Sequence, residues 1–198
     1  MRPEDNPAEL GDVWTFVSLD PETKLIPSYM VGKRTSETAH AFMNDLSGRL
    51  ANREQLSADA LSAYVDASWW AFKGDVDFGQ IVKTYESEPI GPGRYSPPHV
   101  VSTTKKRVHG NPDETYISTS HIERSNLSMR MNMRRLTRLT NGFSKKLENH
   151  ELATSLWFAV YNFVRVHGSI RVTPAMAAGV TPRLWSMDDL LDAALAQY

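Results

Sequence analysis

The chain has no cysteine among its 198 residues. That excludes a disulfide scaffold, thiolate catalysis and the common cysteine zinc sites, and it fits a reducing compartment. Long apolar runs are missing too. LWFAV at 156–160 is far short of the ~20 residues that span a bilayer. The opening MRPEDNPAEL is acidic and proline-bearing, unlike a secretory leader, so a soluble cytoplasmic protein without membrane contact is expected. HExxH, GxSxG and Walker sequences are absent, and His121-x-Glu123 has no cysteine pair to complete a zinc deaminase site. GPGRYS at 91–96 lacks the third glycine of a dinucleotide fingerprint, so it receives no phosphate-binding role.

Net charge is nearly absent as well, at −1, but only as an average. Residues 105–146 hold ten lysines and arginines against three acids, a net of +7, so the remainder carries −8. A polyanion responds to clustered charge more than to the mean. The bland alternative is a solvated helix face balanced by acidic helices elsewhere.

What is present is 41% apolar content, enough for a real core in one domain of this length. DVWTFVSLD (12–20) and KLIPSYMVG (24–32) read as a hairpin around the turn 21–23, with Pro27 placing the second strand at an edge. Thr35 caps a helix with the stripe Ala39, Phe42, Met43, Leu46 and Leu50. A short strand ends at Asp59. A helix over 60–72 then turns Leu61, Tyr64, Val65, Trp69 and Phe72 inward, and a strand follows over 78–85. Residues 86–115 read as a long proline-bearing irregular stretch. A basic helix runs from Ser120 to about Thr140, and a helix over 149–166, apolar nearly all round, reads as buried. Ser186 with Asp189 forms a capping box opening a last helix. The order is mixed α/β.

Two carboxylates stand out. Asp59 ends a strand, where it is either a site residue or a helix N-cap. Glu123 lies at the rim of the basic helix's core stripe (Ile122, Met129, Met133, Leu136), with Arg130 and Arg134 on its line and Asn126 beside it. The alternative is a first-turn glutamate favoured by the helix dipole. A strand carboxylate and a helix carboxylate beside a basic surface suit metal-dependent phosphodiester chemistry, since Mg²⁺ takes a few carboxylate oxygens and the polyanion needs cationic walls.

The strings LDPETKLIPSYMVGKRTSETAHAFMNDL, HIERSNLSMRMNMRRLTRLTNGFSKKLENH and YNFVRVHGSIRVTPAMAAGV resemble bacterial DDE transposases of the "insertion sequence one" type, over about residues 11–187. The resemblance implies a ribonuclease-H-like mixed sheet flanked by helices. It also implies cutting and joining of transposon ends with two Mg²⁺ or Mn²⁺ ions, in a nucleoid-associated bacterial protein. Asp59 matches the family's second carboxylate, with Ala60 where a glycine is usual, and Glu123 matches the third. The DNA-facing set it implies is Arg124, Asn126, Arg130, Arg134, Arg135, Arg138, Lys145 and Lys146.

The first carboxylate, on the central first strand, has no match, so that strand is expected to be missing. Asp12 and Asp20 are substitutes in principle, but roughly 26 Å of strand separates them, so both cannot serve one site. Asp20 is the nearer candidate and also reads as a turn aspartate before Pro21. The expected layout is a flexible 1–10, a core over 11–147 and a helical extension over 148–198. The expected function is a transposase catalytic core. The alternative is a non-catalytic remnant that binds DNA or full-length transposase and inhibits it. The expected partners are transposon-end DNA, with a homo-oligomer or a full-length transposase as a protein partner.

Overall fold

A computed structural model describes residues 13–52, 54–86, 99–137, 141–142 and 146–196. It is mixed α/β, with an antiparallel two-stranded sheet and a three-stranded mixed sheet. The described chain divides into two compact units. Lys33–Ser120 is one, and the hairpin through Gly32 together with the chain from His121 is the other.

In Lys33–Ser120, α1 (Ser36–Arg49) begins where Thr35 Oγ1 accepts the Thr38 amide at 3.4 Å. Its buried face is Ala39, Phe42, Met43 and Leu46, the i, i+3, i+4, i+7 spacing of one helix stripe. It packs on α2 (Ala63–Ala71) through Phe42 and Tyr64, ring centres 6.3 Å apart. β3 (Gln55–Asp59) pairs in parallel with β4 (Asp77–Glu86), Gln55 opposite Asp77 and Asp59 opposite Ile81, with α2 as the connection. β4 pairs antiparallel with β5 (His99–His109). Gly79 is needed on β4 because Ile117 crosses it. A Cβ there would meet Ile117 Cδ1 at 2.5 Å, well inside contact distance.

The other unit starts with β1 (Trp14–Val17) and β2 (Tyr29–Gly32), shorter than expected. Their pairing continues irregularly to the turn through Ser18 N–Ser28 O (3.0 Å) and Asp20 N–Leu25 O (2.9 Å). Among the described residues the two strands pair only with each other. α3 (Ser120–Asn132), a 3₁₀ turn (Arg134–Leu136), α4 (Leu147–Ala159), α5 (Pro174–Ala177) and α6 (Met187–Leu195) follow. The core is Ile26, Met129, Met133, Phe158 and Tyr161, with Leu136 and Trp157 packed against it. α4 passes directly into a π-helical turn, Val160–Val164. That turn faces both Tyr161 and Asn162 inward. Asn162 clamps the hairpin: its Oδ1 accepts the Ile26 amide at 3.1 Å and its Nδ2 donates to the Ile26 carbonyl at 2.9 Å. The expected capping box is present, Asp189 N donating to Ser186 Oγ (3.1 Å) and Ser186 N to Asp189 Oδ2 (2.7 Å).

Four expectations are corrected. Residues 99–109, expected irregular, form an eleven-residue strand. It is exposed nearly throughout, so no apolar–polar alternation marked it. The basic helix ends at Asn132, because Met133 turns to an extended conformation (φ −101°, ψ 100°). The 149–166 helix is not buried all round: Leu152 and Leu156 are 62% and 53% exposed, one turn apart on the same face. Trp69, expected inward, is 46% exposed, its ring lying over Gly74 and beside His109. α2 starts three residues later than expected, after a tight turn at Asp59, and its buried residues are Ala67 and Ser68.

Candidate nucleic-acid site

Asp59 is the last residue of β3 and is exposed. Its Oδ1 accepts the Leu61 amide at 3.1 Å, a local turn rather than a helix cap, since Ser62 holds the N-cap position of α2. One residue that the sequence reading missed fixes this corner. Gln80, buried on β4, donates its side-chain amide to the carbonyls of Asp59 and Leu61, both at 3.0 Å. A glutamine set within the apolar run FGQIV was the available signal, because a buried amide needs partners. Burial first, and then the charge of Asp59, push the Tyr64 hydroxyl well above the ordinary tyrosine range. Tyr64 is therefore a neutral phenol at any working pH.

Glu123 lies in the first turn of α3, exposed, with Arg124 beside it and Arg130 two turns on along the same line. Asn126 is half-buried. The expected line does not reach Arg134, because Arg134 and Arg135 sit on the 3₁₀ turn after the break at Met133. Lys146 is exposed just before α4. Arg138 and Lys145 lie outside the described residues, as do Asp12 and 91–96. Of the cations counted on β5, Arg107 is paired with Glu114 at 3.1 Å, and Lys105 donates to the Glu114 carbonyl. Glu114 is one of the three acids already counted in the +7 of residues 105–146, so these contacts leave that net charge unchanged.

Asp20 is committed to its turn. Its carboxylate accepts the amides of Glu22 (3.0 Å) and Thr23 (3.3 Å) and the Thr23 hydroxyl. Asp59 belongs to one unit and Glu123 to the other. Among the described residues no three of His, Asp or Glu are grouped to hold a metal ion. Among the described residues, neither unit by itself groups the donors of a two-ion site. No helix of the described chain is long and apolar enough to cross a membrane. Comparison with protein-family models, with curated proteins and with solved structures returns no match.

Proposed function

We propose that the chain is a DNA-processing protein of the DDE transposase class, on a ribonuclease-H-like plan, with Asp59 and Glu123 as its metal-facing carboxylates. The exposed residues Arg124, Arg130, Arg134, Arg135 and Lys146 would serve as phosphate contacts. The observation that carries the reading is the position of Asp59. It stands exposed at the carboxyl end of a parallel strand in an open sheet, where α/β proteins take their ligands, and its backbone is pinned by Gln80. A rigid corner presenting one free carboxylate edge suits a site more than a cap. Bound Mg²⁺ or Mn²⁺ would supply activation of water or a 3′-hydroxyl and stabilise the leaving oxygen.

A second, non-catalytic reading is favoured by Asp20. With that carboxylate taken up by its own turn, the chain would bind transposon-end DNA, or a full-length transposase, without cutting, and so act as an inhibitor. One assay separates the two. The purified chain is tested for nicking of plasmid DNA with Mg²⁺ or Mn²⁺ and for duplex binding across a salt series. Nicking lost in Asp59→Asn and in Glu123→Gln supports the catalytic reading. Steeply salt-dependent binding without nicking supports the second, with Arg130→Gln lowering the salt slope by about 1. No binding even at low salt overturns both.

A further inference from the structure

β4 outruns its parallel neighbour. β3 pairs with it only from Asp77 to Ile81, so residues 82–86 pair with β5 alone among the described residues. The result is a two-stranded antiparallel ribbon, 82–86 against 99–104, about 17 Å long at ~3.4 Å per residue. It leaves the sheet at the end where β3 stops, with Asp59 opposite Ile81. Its root is held from several sides. Asn111 N donates to Asp77 Oδ1 at 2.7 Å, Arg107 pairs with Glu114 at 3.1 Å, and Ile117 lies across Gly79.

Residues 100–107 are exposed without a break, on both faces of the strand. The register sets Val82 opposite Thr104 and Thr84 opposite Ser102, so one face offers three hydroxyls. Lys106 completes that face at the root, opposite the buried Gln80 that pins the Asp59 backbone. The register shift between Thr84 and Tyr85 leaves Val101 as an extra residue, a bulge that adds twist. β5 carries three cations and no acid. Arg107 is ion-paired and Lys105 is hydrogen-bonded, whereas Lys106 makes neither contact among the described residues.

We propose that this ribbon is a DNA contact of its own, lying in the major groove of a duplex and leading that duplex to the Asp59 corner. The major groove is ~12 Å wide and admits a two-stranded ribbon. Hydroxyls of Thr84, Ser102 and Thr104 can donate to phosphates or to base-edge acceptors, and the threonine methyls can meet thymine methyls. Lys105 and Lys106 supply positive charge beside the phosphates. The ribbon's composition argues against a protein partner. It offers threonine and serine where a protein interface would bury larger apolar side chains. A second copy laid along the β5 edge would set one cationic strand beside another, the device by which edge strands resist pairing. The inference rests on the DNA-binding reading above, though not on its α3 contacts and not on metal at Asp59.

The lack of cysteine makes the test specific. Ser102→Cys on the ribbon and Ala41→Cys at an exposed position of α1 each give the whole chain a single thiol. Labelling by a maleimide is timed for the chain alone, with duplex DNA, and with a single strand of the same length. With duplex at about ten times its Kd, labelling of Ser102→Cys slows about tenfold, as free chain is depleted, and Ala41→Cys is unchanged. Lys106→Gln lowers the salt slope of duplex binding by about 1, with the unfolding curve unaltered. Duplex binding that leaves the Ser102→Cys thiol open overturns the proposal and leaves the α3 contacts standing. Equal protection by the single strand overturns it too, because a groove is then not what is bound. Protection that needs no DNA and grows with protein concentration assigns the ribbon to a second copy and overturns it as well. Absence of nicking in the preceding assay leaves this readout untouched, and absence of duplex binding at any salt overturns both readings.

Discussion

The two units hold their cores by different chemistry. In Lys33–Ser120 the buried set is mainly apolar, the α1 stripe, Val76 and Phe78 on the way into β4, and Ile117 over Gly79, with Gln80 as its one bridging amide among the described residues. In the other unit the hairpin's Ile26 is bound by a polar side chain 136 residues away, and Asn162 supplies both its partners. The first arrangement tolerates small adjustments of shape, because apolar contacts are non-directional. The second does not, since a buried amide and carbonyl without partners each cost about 1–3 kcal/mol. The comparison teaches that a residue of ordinary size can matter more in the second unit than a large one in the first.

The strongest test of that contrast is Asn162→Leu. It strands both backbone groups of Ile26 and should cost about 2–5 kcal/mol, read from urea unfolding together with faster exchange of the Ile26 amide. Next is Gly79→Ala, whose Cβ collides with Ile117. It should cost about 1–3 kcal/mol. Combined with Ile117→Ala the loss should be less than additive, because the truncation removes the collision. If Gly79→Ala proved as damaging as Asn162→Leu, the distinction between the units would collapse.

The third test has the opposite sign. The Thr154 hydroxyl is buried on α4 with no hydrogen-bond partner among the described residues, so Thr154→Val should stabilise by about 1 kcal/mol in the same unfolding assay. The smallest effect concerns α6. Ser186→Ala, removing the cap, should cost about 1 kcal/mol. Arg183 first, and then the Ser186 amide, hold the Asp189 carboxyl well below its ordinary value. A depressed carboxyl contributes stability that is full above the unfolded pKa of about 4 and is lost as pH falls toward the folded one. Asp189→Asn should therefore flatten the acid limb of a stability–pH curve and leave its neutral plateau with the same slope.

How much of this was legible varied with the kind of interaction. Thr35 with its four buried partners, and Ser186 with Asp189, were readable because caps and stripes are local patterns. The strand at 99–109 was not, since Lys105, Lys106 and Arg107 on a ribbon exposed on both faces erase the period of two. The polarity of the α4 region misled in a similar way. Leucines face solvent at 152 and 156 while Thr154 and Asn162 are inside, so composition pointed to the wrong face. Around Asp59 the carboxylate itself was visible in the sequence. The hold that Gln80 exerts on it was not, because that contact depends on which β4 residue falls opposite Ala58. The turn role of Asp20 followed from its position before Pro21 and is the one the structure displays.

The clamp between Asn162 and Ile26 also sets a clock on synthesis. At about 5–20 residues per second, the 136 residues between them take a ribosome roughly 7–27 s to add. Through that interval the hairpin is made but its central amide and carbonyl have no protein partner, and Met129 and Met133 join its apolar side only late in the wait. The hairpin is thus among the last parts of its unit to be secured. During that window it stands to gain from a chaperone and to lose to a protease.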